Sequence, residues 1–95
     1  MATYVIETYL SRARAAELGP ATVRLREAVV AAQMAPRRLR HVRSYFIPED
    51  ELCFHVLEAP SLEATIDIVR RAGLSPERIV EAEPAPNDRD GAPAA

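Results

Sequence analysis

The spacing of apolar side chains changes period along this chain in an order that few folds accept: alternation, helical spacing, two alternating runs in succession, helical spacing, alternation. In "TYVIETYL" (Thr3–Leu10), Tyr4, Ile6, Thr8 and Leu10 fall on one face of a strand and Val5, Glu7 and Tyr9 on the other. Leu18, Thr22, Leu25, Val29 and Ala32 then recur at steps of four and three, which predicts a helix over Pro20–Ala35. Pro20 suits its first turn, Pro36 stops it, and Arg12–Leu18 reads as a loop or short helical turn. Leu39–Ile47 and Leu52–Ala59 read as strands joined by the turn "PEDE" (Pro48–Glu51). Ser61 is a good N-cap for a second helix, with Glu63 in its first turn, a stripe of Leu62, Ile66, Val69 and Ala72, and Gly73 as the C-terminal cap beside Leu74. Arg78–Glu83 is a final short strand.

The order β-α-β-β-α-β with right-handed crossovers predicts an α+β fold of the ferredoxin-like split βαβ kind. It has a four-stranded antiparallel sheet in the order 4-1-3-2, with both helices on one face. Residues 1–83 form this single domain. From Pro84 to Ala95 no apolar side chain exceeds Ala or Pro in size, so residues 84–95 are expected to be a disordered tail. A chain of 95 residues buries only about 60–65 % of the surface its unfolded form exposes. Two helices cover one sheet face, and the apolar atoms on the other lead us to expect a homodimer, in a dimeric α/β-barrel-like assembly.

Charge and composition remove several function classes. All 12 basic side chains are arginine, yet the net charge is −2, so no overall positive field draws in nucleic acid. The run Arg37, Arg38, Arg40 lies where the first helix ends and suits its dipole, and "ELCFHVLEA" lacks the glycine and stacking aromatics of an RNA-reading strand. One cysteine forms no internal disulfide, and no apolar run approaches the roughly 20 residues that a bilayer needs. A soluble cytoplasmic protein is the expectation, with neither nucleic acid nor membrane as partner.

The stretch "RHVRSYFIPEDELCFHVLEAP" (40–60) holds both histidines and the only cysteine. A hairpin register pairing Phe46 with Leu52, Ser44 with Phe54 and Val42 with Val56 gives an apolar side for the helices. Its opposite side then sets Tyr45 by Cys53, Arg43 by His55 and His41 by Leu57, gathering the chemically active side chains on the uncovered face. Slipping the register by one sets Tyr45 opposite Phe54 and mixes polar with core positions, so the first register is preferred.

"YVIETYL", "RSYFIPED", "CFHVLEAPS" and "RRAGLSPERIVEAE" resemble, in order and spacing, the DUF4242 family of small ferredoxin-like proteins, described as nickel-binding. The resemblance covers about residues 3–83 and implies a homodimer packed through its sheets, with nickel held by histidine-containing surface sites and no established catalysis. Relatives commonly read His-Ser-Tyr where this chain has Arg43-Ser44-Tyr45, and arginine cannot ligate a metal. The family's cysteine is His55 here, Cys53 is an extra thiol, and Val69 stands where some relatives carry histidine.

The residues allow two chemistries. His55, His41 and Cys53 are the candidate metal ligands, for nickel or another transition metal, because residues two apart on a strand share a face. A symmetric dimer would double the ligand count. Alternatively, His55 as general base, Tyr45 as donor and Arg43 as anion clamp suit a small cofactor-free isomerase- or cyclase-type enzyme acting on an anionic ligand. Cys53 is a poor nucleophile, since no helix N-terminus activates it.

Overall fold

The computed structural model describes residues 2–32, 39–83 and 85. Strand β1 (Ala2–Tyr9) leads through a short 3₁₀ helix (Arg12–Glu17) into α1 (Leu18–Ala32). Strands β2 (Arg40–Ile47) and β3 (Leu52–Ala59), helix α2 (Leu62–Arg71) and strand β4 (Arg78–Ala82) follow. The four-stranded sheet has the order β2-β3-β1-β4 and every pairing is antiparallel, as the period pattern requires. Helix α1 begins two residues before the Pro20 expected from sequence; its expected end at Ala35, Arg37 and Arg38, and the tail 84–95 apart from residue 85 lie outside the described residues.

Local sequence explains the ends of α2. Ser61 Oγ accepts from the backbone N–H of Ala64 at 3.1 Å, the N-cap bond. At the other end Leu74 N–H donates to Val69 O (3.1 Å) and Gly73 N–H to Arg70 O (3.0 Å), a Schellman closure that needs the left-handed φ of 73° at Gly73.

One core lies between the sheet and both helices: Tyr4 and Ile6 of β1, Leu57 and Ala59 of β3, Leu25, Ala28 and Val29 of α1, and Ile68 and Val69 of α2. The apolar stripe expected on α2 holds at Val69 and Ala72, which are buried, but not in its first half. Leu62 and Ile66 are exposed, while Thr65 is fully buried. Burial costs Thr65 little because its hydroxyl donates to Ser61 O at 3.1 Å.

The hairpin register differs from expectation. Ile47 pairs with Leu52, Phe46 with Cys53, Tyr45 with Phe54, Ser44 with His55 and Arg43 with Val56. The turn is therefore four residues long, with Glu51 at φ 55°. That left-handed residue is held from outside the hairpin: its carboxylate accepts from Tyr9 Oη (3.0 Å) and Arg12 N–H (2.8 Å), and its carbonyl accepts from Leu10 N–H (2.9 Å). A bulge at Val42 then shifts the ladder by one, so that His41 pairs with Leu57 and Arg40 with Glu58.

This register divides the residues that sequence placed together. Alternation on β3 buries Cys53, His55, Leu57 and Ala59 against the helices and leaves Leu52, Phe54 and Val56 on the open face. Arg43 and Tyr45 share that open face, while Ser44 and His41 are on the helix side with His55. The open face also carries apolar side chains, Val5, Leu52, Phe54 and Val56 among them. It is bordered by the ion pairs Arg40–Glu58 (3.0 Å) and Arg78–Glu7 (3.1 Å).

Candidate functional site

A cleft of about 370 Å³ opens on the helix side of the sheet, between the ends of β1 and β3, the start of α1 and the turn after α2. Cys53 and His55 line it from β3, Leu10 and Leu18 give apolar wall, and Arg24 of α1 and Leu74 complete it. Arg24 is anchored there: its Nε donates to the carbonyl of Ala72 at 3.1 Å, at the C-terminal end of α2 where a cation is favoured. Glu17 also lines the cleft, with its carboxylate held by Arg14 at 2.7 and 2.9 Å, which lowers its pKa below the usual range.

Behind the cleft runs a chain of polar contacts. His55, 1 % exposed, has Nδ1 2.6 Å from Ser44 Oγ. Ser44 Oγ is 2.9 Å from His41 Nε2, and Arg26 Nε donates to His41 Nδ1 at 3.3 Å. In a regular strand residues 41 and 44 point to opposite faces, so the contact exists because the extra residue Val42 turns His41 back under α1. Burial pushes the His55 pKa down to about 4, with the neighbouring His41 adding to it. Burial also lowers the His41 pKa, and the Arg26 cation lowers it further. Both rings are thus neutral near pH 7. His55 Nε2 makes no hydrogen bond with the described residues, and among them no buried side-chain nitrogen or oxygen lacks a partner, so this atom keeps its access to the cleft.

The sequence candidates are therefore split. His55 and Cys53 line the cleft, His41 stands behind it, and Arg43 and Tyr45 lie on the opposite side of the sheet. The combination of His55, Arg43 and Tyr45 in one catalytic cluster is corrected on this ground: a one-residue change of register exchanges the two faces.

The nickel implied by the resemblance also meets a poor donor set. Both His41 nitrogens and His55 Nδ1 are already engaged. Burial raises the Cys53 thiol above its ordinary pKa, which keeps it protonated. Among the described residues no group of three His, Cys, Asp or Glu side chains comes together to hold a metal ion.

Sequence reasoning missed Ser44, Arg24 and Arg26. Ser44 falls on the hairpin side assigned to the helices without a polar partner, and the two arginines lie away from the Leu18, Thr22, Leu25, Val29 stripe of α1. A hydroxyl directly across a hairpin from a histidine is a usable signal, but only once the register is known.

Comparison with solved structures gives a likeness in fold. A crystal structure of SCO4226 from Streptomyces coelicolor A3(2) matches with a TM-score of 0.72 at 16 % identity, covering 88 % of this chain and 99 % of that one. No family model matches the chain, and no curated protein matches it. Among the described residues no helix is long and apolar enough to cross a membrane.

Proposed function

We propose that this chain is a small-ligand-binding protein of the DUF4242 type, which works as a homodimer and takes its ligand into the cleft floored by His55. The observation that carries this reading is the state of that imidazole. It is 1 % exposed in a small core, one nitrogen is satisfied by Ser44 at 2.6 Å, and the other is left to the cleft. Burying a polar ring in this way costs stability, and a leucine of similar volume at position 55 would pack without that cost. Retaining the ring makes sense when its free nitrogen meets a ligand. The ligand is a small molecule with an apolar body, matching Leu10, Leu18 and Leu74.

The dimer rests on the sheet's other side. Val5, Leu52, Phe54, Val56 and Val80 form an apolar field that no helix among the described residues covers. A second copy laid on it supplies the cover that two helices cannot.

The test is a screen of small molecules against the ¹⁵N-labelled chain by amide chemical-shift mapping. Binding is expected to move Leu10, Leu18, Arg24, His55 and Leu74 together. Shifts confined to Tyr45, Phe54 and Val56 would place ligands on the open face and end this reading. Sedimentation equilibrium checks the dimer: Val56→Arg is expected to yield monomer, and a wild-type chain that sediments as a monomer refutes that part.

A further inference from the structure

We infer that the contacts Arg26–His41–Ser44–His55 form a hydrogen-bond chain of one fixed direction, which makes His55 a donor at Nε2 and the cleft a site for an oxygen acceptor, a carbonyl or carboxylate compound. The ligand class rests on the reading just proposed; the direction of the chain does not.

Each link follows from the one before. A guanidinium has only N–H donors, so His41 Nδ1, 3.3 Å from Arg26 Nε, must offer its lone pair. A neutral imidazole then carries its hydrogen on Nε2, which donates to Ser44 Oγ at 2.9 Å. The hydroxyl hydrogen of Ser44 is left for His55 Nδ1 at 2.6 Å. His55 Nδ1 accepts it, and the single ring hydrogen of His55 is on Nε2. The opposite direction would set His41 Nδ1–H against the Arg26 N–H, two donors facing each other at 3.3 Å. The lowered pKa values of both rings agree with the neutral forms this requires.

The cleft thus presents a neutral N–H at its floor and the Arg24 cation in its wall, while the Glu17 carboxylate is already paired with Arg14. An oxygen lone pair on a small apolar body satisfies both. A metal ion or an ammonium group would meet a donor where it needs an acceptor, which accounts physically for the poor fit of nickel to these residues.

Long-range ¹H–¹⁵N correlation on the full chain at neutral pH reads the ring tautomers directly. Both histidines are expected to show a protonated, pyrrole-type Nε2 and an unprotonated, pyridine-type Nδ1. In Arg26→Leu, at an exposed position, both rings are expected to shift towards mixed tautomers. A wild-type His55 protonated at Nδ1, or rings unmoved by Arg26→Leu, overturns the fixed direction. Benzoate, acetophenone, benzylamine and Ni²⁺ are then titrated separately. Benzoate and acetophenone are expected to move the His55 Nε2 signal, with benzoate binding at least about tenfold more tightly than benzylamine. Benzylamine or Ni²⁺ binding at His55 as tightly as benzoate overturns the acceptor assignment. Silence from all four overturns that assignment together with the ligand-binding reading, while the tautomers stand on the ligand-free spectrum.

Discussion

Ser44 Oγ and His55 Nδ1, 2.6 Å apart, face each other across the β2–β3 ladder, and this contact is what allows an imidazole to be 1 % exposed beneath the helices. Ser44→Ala strands that nitrogen in the core and is expected to destabilise the chain by about 1–3 kcal/mol. Removing both partners, in Ser44→Ala with His55→Met, is expected to recover most of the loss. Urea denaturation of the four chains of the cycle checks it; a loss in the double variant equal to the sum of the two single losses would show that the contact contributes nothing.

Stability depends on pH through the same ring. Its pKa is about 4 in the folded chain and about 6.5 when unfolded, so between these values the unfolded state binds more protons. The folded state is therefore at full strength above pH 6.5 and weakens as the pH falls towards 4, by up to about 3 kcal/mol from this group. Urea midpoints measured at several pH values are expected to converge on a much flatter dependence in His55→Met. An equally steep fall in that variant would assign the effect to other groups.

Deleting Val42 tests the bulge. The shortened strand keeps Arg43 across from Val56 and His41 across from Leu57, now as direct neighbours in a regular ladder. Cooperative unfolding and the Ser44 contacts are expected to survive. Deleting Tyr45 instead exchanges the two faces of β2 and is expected to abolish cooperative folding. Circular dichroism melts of both deletions decide the matter, and the reverse order of tolerance would contradict the register.

At Gly73 the backbone has φ 73° and nothing lies within 4 Å of an added Cβ, so Gly73→Ala meets only the conformational cost. The expected loss is about 1 kcal/mol, read from the urea midpoint. A neutral result would mean that α2 ends equally well without the Schellman closure.

Strands, helices and caps were legible in the sequence because their signals are local. Alternation in "TYVIETYL", the capping Ser61 and the terminating Gly73 each involve residues a turn or less apart. The stripe of α1 at Leu25 and Val29 was legible for the same reason, with Leu18, Thr22 and Ala32 half-buried along it. The phase of α2 was legible at Val69 and Ala72 but not at its start: hydrophobicity favours Ile66 over Thr65, whose hydroxyl is satisfied by the Ser61 carbonyl and which is buried together with Ile68. Of the site, the presence of His55 and Cys53 on one face was legible from their two-residue spacing, but which face it was could not be read from the hairpin alone.

The amino-acid order by itself determined the number, kind and sequence of elements, and with them a four-stranded antiparallel sheet and two crossover helices, since periods of two and three-to-four residues are properties of short segments. Tertiary structure decided the register of one hairpin and so the direction in which every side chain of β2 and β3 points. That choice depends on Glu51, held in a left-handed turn by Tyr9 and Arg12, about 40 residues earlier, and on the Val42 bulge under α1. A one-residue difference in pairing leaves local periodicity unchanged while exchanging core for surface, which is why His55 lies in a cleft under the helices and Arg43 and Tyr45 do not.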